Sequence, residues 1–259
     1  MHITSLPERI STSLSDNQAY PQVCLQASND YRLFNNFRRN SIYNHILEHV
    51  SEEQGREYLK LISKDADVLN AIDSFKANDD YGNPRMYEYP PIGMISATTL
   101  RYIKVLVDLK TNFRTLDNLN LCEIGVGYGG QCRIINAYFK PATYCLVDIQ
   151  PALALTQRFL DNYALHSILT YKTMNELGPE DYDLLISSYA FTELPRTIQD
   201  VYLRKVILRS RRGYINYNEI TPAEFNSYKA NQLVRIIHGS TIIKEEPLTH
   251  PKNCIIVWG

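Results

Sequence analysis

Two carboxylates and a glycine turn are the residues of this sequence best suited to bind a nucleoside. Glu123 stands two positions before Gly125 in the segment LCEIGVGYGG at 121–130, and Asp148 ends the next apolar run. Glycine lets a backbone turn come close to a ligand. A carboxylate at the end of the second strand, such as Asp148, can accept hydrogen bonds from both hydroxyls of a ribose. The segment therefore predicts a nucleoside site at the ends of two strands.

The glycine spacing alone does not identify the ligand. Gly125, Gly127 and Gly130 satisfy the pattern G-x-G-x-x-G, which nicotinamide and flavin enzymes also use. Glu123 would repel an anionic pyrophosphate, but it would attract the ammonium and sulfonium groups of S-adenosylmethionine (SAM). We therefore expect SAM as the cofactor. Two alternatives stay open: an NAD(P)-dependent oxidoreductase and a non-catalytic SAM-binding module.

A second polar group follows the strand predicted at 183–188 and is suited to acid–base chemistry. In an open α/β sheet ligands bind beyond the carboxyl ends of the strands, so Tyr189 and Glu193 should face the reacting centre. Methyl transfer to a hydroxyl requires that the hydroxyl lose its proton, and Glu193 is the leading candidate for the general base. Glu193 could equally stabilise the start of the following helix. His250 and His238 are less favoured alternatives for the base.

A polar, aromatic loop at 79–89 is suited to bind a sugar, which proteins recognise through flat aromatic faces and paired polar groups. Its Gly-Asn-Pro sequence resists both helix and strand. We expect a lid that covers the cofactor, excludes water and binds the acceptor. A structural connector is the alternative. The candidate substrate residues of the loop are Tyr81, Asn83, Arg85 and Tyr87. Further along, Arg101 and Tyr102 are expected to reach the methionine end of SAM.

The elements that must position these residues are a helical segment followed by alternating strands and helices. We predict irregular structure over 1–27, one or two helices over 30–76, an extended loop over 87–93, and a helix that Ser96 caps. Strands are predicted at 120–125, 143–148, 167–171, 183–188, 212–217, 233–238 and 253–258. Helices are predicted near 129–139, 151–163, 196–209 and 222–230.

This pattern predicts an α/β fold of the Rossmann-like type. Its sheet should be mostly parallel and seven-stranded, with helices on both faces. Little helical sequence separates the last two predicted strands, so we expect them to form an antiparallel pair at one edge. We predict two parts: a helical N-terminal cap and lid at 1–94, and a SAM-binding domain at 95–259.

Composition excludes several classes of function. The 259 residues include 27 basic and 28 acidic side chains, so no basic field for nucleic acid is expected. No apolar run approaches the roughly 20 residues that a membrane helix needs. The N-terminal sequence lacks the basic and apolar regions of a secretory signal, and the cysteine spacings match neither a zinc site nor a disulfide framework. We therefore expect a cytoplasmic protein with no nucleic-acid partner and no membrane span.

Three segments also carry a resemblance to a known family: EIGVGYGGQ at 123–131, SYAFTEL at 188–194 and RGYINYN at 212–218. Together they resemble the bacterial sugar O-methyltransferases, which are class I SAM-dependent enzymes associated with surface-polysaccharide loci. The loop near 81–104 and the Trp-Gly ending are also similar, so the resemblance covers about residues 30–259. It implies transfer of a methyl group to a hydroxyl of a sugar or glycan.

The resemblance implies a SAM site on Glu123, Gly125, Gly127 and Asp148. The further candidates for cofactor binding are Gln131, Ile149, Asn175, Ser188 and Tyr102, with the adenine near Asn175. The further candidates for substrate binding are Tyr189 and Asn218.

Metal use and oligomeric state stay open. Some sugar methyltransferases use a divalent cation to lower the pKa of the acceptor hydroxyl. The residues that could supply oxygen ligands are Asp79, Asp80, Asp181, Asp183 and Glu193. Their spacing is not typical of a metal site, so we predict no metal-binding residue. A homo-oligomer is compatible with the sequence.

Overall fold

Residues 19–76, the first part of the chain that the structure describes, fold mainly into short helices. The computed structural model describes residues 19–259, and the predictions for 1–18 lie outside this range. The helices are α1 (Ala19–Asn29), α2 (Tyr31–Phe34), α3 (Ser41–Leu47), α4 (Glu52–Ile62), α5 (Ala66–Asn70) and α6 (Ile72–Lys76). Capping side chains explain these breaks, because Asp30, Asn40, Ser51 and Asp65 each accept a hydrogen bond from the first turn that follows. Several short helices therefore replace the one or two that were predicted over 30–76.

The prediction of irregular structure is wrong for residues 19–27, which belong to α1. Its sequence has no strong helical pattern, but Tyr20, Val23 and Cys24 are buried. Tertiary packing therefore stabilises a helix that local propensity does not predict.

A short hairpin replaces the extended loop predicted over 87–93. Strands β1 (Met86–Tyr89) and β2 (Gly93–Ser96) pair antiparallel, with Tyr89 opposite Gly93. Gly93 has a φ of 80°, which glycine adopts without strain. The hairpin leads directly into α7 (Ala97–Phe113), and Ser96 caps this helix by accepting from the Thr99 backbone N–H, as predicted.

The predicted seven-stranded, mostly parallel sheet is confirmed. Its strands are β3 (Asn120–Ile124), β4 (Thr143–Val147), β5 (Ile168–Lys172), β6 (Tyr182–Ser188), β7 (Ser210–Tyr217), β8 (Thr241–Lys244) and β9 (Cys254–Trp258). The order is β5-β4-β3-β6-β7-β9-β8. The first five strands of this order are parallel, whereas β9 pairs antiparallel with both β7 and β8.

Helices cover both faces of the sheet. They are α7, α8 (Gly130–Tyr138), α9 (Gln150–Leu160), α10 (Arg196–Lys205) and α11 (Ala230–Ile236). Alternate residues of a strand point to opposite faces. Leu121 of β3 packs in a core with α7, α8, α9 and the N-terminal helices, whereas Cys122 packs in a second core with α10 and α11. None of the helices among residues 19–259 is long and apolar enough to cross a membrane.

The predictions are wrong for the chain between β7 and β9. The strand predicted at 233–238 is largely α11, and the helix predicted at 222–230 is only a 3-10 turn at Ala223–Phe225. Leu233 and Ile237 are both buried four residues apart, and a short apolar run does not distinguish a helix from a strand. The sixth strand is β8, which the sequence analysis missed because this edge strand exposes Thr241 and Ile242. The antiparallel edge pair therefore exists, but β8 supplies its first strand.

Candidate active site

The candidate residues gather where the order of the strands reverses. The chain runs from β3 outward through β4 to β5 and then returns to place β6 on the other side of β3. Ligands of open α/β sheets bind in the crevice at such a reversal, beyond the carboxyl ends of the strands. The turn after β3, the end of β4 and the turn after β6 all lie at this edge of the sheet.

The glycine turn after β3 is tightly enclosed. Gly125 has a φ of 79° and Gly127 a φ of 57°. A Cβ atom at Gly125 would lie 2.0 Å from the Cβ of Ala190, in the turn after β6. A Cβ atom at Gly127 would lie 3.0 Å from Leu47 of α3. Position 125 therefore requires glycine, because its φ is positive and because a side chain would collide with Ala190. The contact with Leu47 shows that the N-terminal helices reach the turn.

Glu123 lies beneath this turn with almost no contact with solvent. Glu123 is only 3% exposed, and its Oε2 accepts a 2.6 Å hydrogen bond from the Tyr144 hydroxyl. Burial raises the pKa of Glu123 to about 8. The carboxyl group is therefore mostly protonated at neutral pH, and a nearby cation would favour its ionised form.

Asp148 lies beside the turn, at the end of β4. Its Oδ2 accepts from the Gly127 backbone N–H at 3.1 Å, and its Oδ1 accepts from Ile149 N–H at 2.7 Å. Burial raises the pKa of Asp148 to about 6. Burial also raises the pKa of Cys24 in α1 to about 12, and the negative charge of Asp148 adds to this increase. Helix α1 therefore lies close to Asp148, a neighbour that the sequence did not predict.

Two buried polar atoms near the turn have no hydrogen-bond partner among the described residues: the Tyr43 hydroxyl and Gln131 Oε1. A Cβ atom at Gly127 would lie 4.0 Å from the Tyr43 hydroxyl, whereas Gln131 is the second residue of α8 and donates through Nε2 to the Tyr102 carbonyl. Buried polar groups are usually paired, so these two atoms are candidates to bond a water molecule or a ligand at the turn. Tyr43 was not a candidate from the sequence, because only the fold brings α3 to the turn.

Arg101 and Tyr102 extend the site along α7. Arg101 donates through Nη2 to the Leu47 carbonyl at 3.1 Å, and its guanidinium lies 5.6 Å from the centre of the Tyr102 ring. A Cβ atom at Gly130 would lie 2.6 Å from Tyr102 Cε2. Among residues 19–259, no carboxylate lies within 4.0 Å of the Arg101 nitrogens. Its positive charge is therefore available to an anionic group.

Glu193 belongs to a chain of hydrogen bonds after β6. Asn218 donates to Glu193 Oε1 at 2.6 Å, and the Thr192 hydroxyl donates to Asn218 Oδ1 at 2.8 Å. Burial raises the pKa of Glu193 above that of an ordinary glutamate, although Asn218 and the charge of Arg101 oppose this effect. The arrangement places a fixed, half-buried carboxylate at the reversal of strand order.

Tyr189 turns sharply at the end of β6. Its φ of 67° is uncommon for a bulky residue and requires support from its surroundings. Its hydroxyl donates to the buried carboxylate of Glu245, which follows β8. Burial raises the pKa of Tyr189, and the charge of Glu245 adds to this. Ser188, one residue earlier, accepts a long hydrogen bond of 3.5 Å from Asn216.

Other candidate residues lie at the margins of this edge. Asn175 is exposed in a 3-10 turn after β5, and Ile149 is 39% exposed. His250 is exposed in the β8–β9 connection, where its Nδ1 accepts from the Lys252 backbone at 3.4 Å. His238 is also exposed, after α11.

The loop at 79–89 divides into packed and accessible residues. Tyr81 packs its ring against Phe34, Phe159 and Tyr163. Asn83 donates to the Asn36 side chain. Two further loop residues, Arg85 and Tyr87, line a cavity beside α3.

Three further carboxylates that were considered as metal ligands have partners within the protein. Asp79 accepts from Arg38 at 2.9 Å, Asp181 pairs with Arg209 at 2.7 Å, and Asp183 accepts from the Asn120 backbone. Within the described range 19–259, no group of three or more His, Cys, Asp or Glu residues is arranged to hold a metal ion.

Comparisons with known proteins find similarity in structure but not in sequence. No family model matches the chain, and no curated protein matches it. Magnesium protoporphyrin IX methyltransferase from Synechocystis PCC 6803, with bound SAH, is 14% identical, over 73% of this chain and 93% of that chain, with a TM-score of 0.45. N-methyltransferase NodS from Bradyrhizobium japonicum WM9 is 10% identical, over 61% and 92%, with a TM-score of 0.44.

The pyocyanin biosynthetic protein PhzM is 14% identical over 62% of this chain, with a TM-score of 0.44. This match spans only 57% of the length of PhzM.

Proposed function

We propose that this protein is a SAM-dependent methyltransferase that transfers a methyl group to a hydroxyl of a sugar or glycan. The observation that carries the proposal is the surroundings of the glycine turn. A buried carboxyl group at Glu123 lies beneath it and the partly exposed carboxylate of Asp148 lies beside it, and two unpaired polar atoms adjoin it. This set of groups suits a ligand that joins an ammonium group to a ribose.

The residues present fit SAM, which supplies an electrophilic methyl group when it is bound. Glu123 and Gln131 Oε1 would hold the ammonium of the methionine part, because both can accept its hydrogen bonds. Arg101 would hold the methionine carboxylate with its uncompensated charge. Asp148 would accept from the ribose hydroxyls, and Ile149 and Asn175 would lie along the adenine.

In this proposal Glu193 accepts the proton of the acceptor hydroxyl. Asn218 fixes the orientation of the Glu193 carboxylate through the 2.6 Å hydrogen bond, and burial favours proton uptake. Tyr189 would line the acceptor side, and Ser188 would line the cofactor side. His250 is the alternative base, and it lacks comparable burial.

The choice of a sugar acceptor rests on the resemblance to the sugar O-methyltransferases and on the accessible loop residues Arg85 and Tyr87. We further propose a role in surface-polysaccharide synthesis in the cytoplasm, and a division into a cap and lid at 1–94 and a SAM-binding domain at 95–259. Helices α1 and α3, which lie next to Asp148 and Gly127, would form the part of the cap that covers the cofactor.

Titration calorimetry with SAM and with NAD tests the cofactor assignment. We expect saturable heat with SAM and none with NAD. The variant Asp148→Ala should weaken SAM binding about 10- to 100-fold, because it loses hydrogen bonds to a charged acceptor. Asp161→Ala, an exposed position at the end of α9, is the matched control and should bind SAM normally. Heat from NAD alone would overturn the proposal.

The acceptor assignment needs a separate experiment. A candidate glycan incubated with the protein and labelled SAM should gain the mass of one methyl group on a hydroxyl. Labelling of a nitrogen or a carboxylate across a panel of acceptors, with no labelled sugar, would retain the methyltransferase but reject the sugar.

A further inference from the structure

A polar cavity of about 480 Å³ lies between α3 and the β1–β2 hairpin, apart from the glycine turn. Five of its lining residues are Arg39, His45, His49, Arg85 and Tyr87. The volume falls within the range of pockets that hold small ligands, roughly 300–1,000 Å³. The proposed roles of the glycine turn and of Glu193 leave most of this cavity unexplained.

The charge of the lining is positive. Glu48 is the one carboxylate among the described lining residues, and it is buried against Arg38 with contacts of 2.7 Å and 3.1 Å. Arg38 also pairs with Asp79, so it compensates the charge of Glu48 only in part. Arg39 and Arg85 together still exceed this one negative charge, so the lining is net positive. For Arg85, no ion pair within 4.0 Å is found in the range 19–259.

Arg39 is held in place without losing its charge. Its Nε donates to the Asn83 carbonyl at 2.8 Å, and its Nη2 donates to the Pro84 carbonyl at 3.0 Å. Both acceptors are neutral backbone groups, so they orient the guanidinium but do not neutralise it. Such a preorganised, planar cation suits a phosphate or a carboxylate, which it can bind through two parallel hydrogen bonds.

Arg101 contacts the segment that leads into the cavity lining, and its charge also acts on Glu193. It binds the carbonyl of Leu47, two residues before His49 of the cavity lining. Burial lowers the pKa of His49, and the positive charge of Arg101 lowers it further. The same charge also acts to lower the pKa of Glu193, but burial has the larger effect and raises that pKa. A molecule whose hydroxyl lies at Glu193 could therefore extend past Arg101 towards Arg39 and Arg85.

We propose that the acceptor carries an anionic group, a phosphate ester or a carboxylate, which binds in this cavity between Arg39 and Arg85. This inference rests on the proposed function, because it assigns the second end of the molecule whose hydroxyl is methylated. A neutral sugar would leave the positive charges of Arg39 and Arg85, both of which are exposed, without an anionic partner.

Nuclear magnetic resonance titration of the whole chain with inorganic phosphate, and separately with acetate, tests this site. We expect saturable shifts of the His45 and His49 ring protons, while those of His166 and His238 stay unchanged. Arg85→Gln should weaken the binding about tenfold, whereas Arg85→Lys should largely retain it because the charge remains. Arg211→Gln, at the opposite edge of the sheet, is the matched control. The probe with the tighter binding identifies the group as phosphate-like or carboxylate-like.

The same titration repeated with saturating SAM separates this inference from the proposed function. The anion should bind equally well in the presence of SAM. Competition between the anion and SAM, or absence of saturable shifts with both probes, or an unchanged affinity in Arg85→Gln, would overturn the inference. Failure of SAM to bind while phosphate still binds at His45 and His49 would instead overturn the proposed function.

Discussion

At the scale of single residues, burial determines the pKa of Glu123. The pKa of about 8 arises because the carboxyl group lies beneath the glycine turn, and the 2.6 Å hydrogen bond from Tyr144 only partly offsets this. The folded-state pKa lies above that of an unfolded glutamate. Protonation of Glu123 therefore stabilises the folded chain at acidic pH, and this contribution is lost as the pH rises from the unfolded value to about 8.

We expect SAM binding to release a proton from Glu123. At a pH of about 6.5 the methionine ammonium keeps its charge, and binding it should ionise the buried carboxyl group, releasing up to about one proton per SAM. Calorimetry in buffers of different ionisation enthalpy measures this number. Glu123→Gln should release fewer protons and bind SAM about 10- to 100-fold more weakly. Glu57→Gln, an exposed position on α4, should behave like the wild type. Equal proton release by Glu123→Gln would contradict the assigned role.

Glu193 should determine the rate rather than the affinity for SAM. Glu193→Gln keeps the shape and a hydrogen bond with Asn218 but removes the base, so we expect methyl transfer to fall about 10²- to 10⁴-fold. Because burial raises the pKa of Glu193, the rate should be lost with falling pH at a value above the range of an ordinary glutamate. The measurements are kcat against pH and the Kd of SAM. Glu180→Gln, at the opposite end of β6, is the control. Full activity in Glu193→Gln would shift attention to His250.

At the scale of elements, a buried ion network joins the N-terminal helices to α7. Arg38 lies 2.7 Å from Glu48 and 2.9 Å from Asp79. Asp79 in turn accepts from the Ser96 backbone and from the Thr99 hydroxyl, both at 2.7 Å. The network therefore fixes the end of α3, the 3-10 turn at Ala77–Asp79 and the start of α7 relative to one another.

Arg38→Met should strongly destabilise the protein. The substitution keeps much of the apolar volume but leaves Glu48 and Asp79 buried without their cation, which costs about 3–5 kcal/mol of unfolding free energy. Chemical denaturation of the variant and the wild type measures the difference. Arg32→Met, an exposed position on α2, should change stability by less than about 0.5 kcal/mol. If Arg38→Met lowered the free energy of unfolding no more than the control does, the ion network would contribute little to stability.

At the scale of the whole molecule, one apolar core spans the helical segment and the sheet. It contains Phe34 and Phe75 from the N-terminal helices together with Leu121 and Leu184 from the central strands. The predicted division at 94 and 95 therefore crosses a continuous packed core. Because residues on both sides of this boundary share one core, we expect the two parts to fold together.

We expect the chain to unfold in a single cooperative transition. Trp258 is the only tryptophan and lies buried in β9, so its fluorescence reports the sheet. Far-ultraviolet circular dichroism is dominated by the helices. Coincident midpoints by the two probes are the expected result, because disrupting either part exposes the shared core. Two separate midpoints would indicate independent folding of the cap.

The parallel part of the sheet and the residues at its carboxyl edge could be predicted from the sequence. The runs that form β3, β4 and β6 are mostly apolar and bounded by glycine or polar residues, so they are recognisable locally. Glu123, Asp148 and Glu193 each adjoin the end of such a run. Their common location follows once the strands are parallel, although their roles remain predictions.

The surroundings of those residues could not be predicted, because they arise when distant segments pack together. The strand β8 and the helix α11 could not be assigned correctly, because their short segments carry no distinct period and depend on neighbours for burial. The unpaired Tyr43 hydroxyl, the raised pKa of Glu123 and the cations beside α3 all arise from contacts between distant parts of the chain. Local sequence records which groups are present, whereas burial and proximity, which set their charge and availability, exist only after the chain has packed.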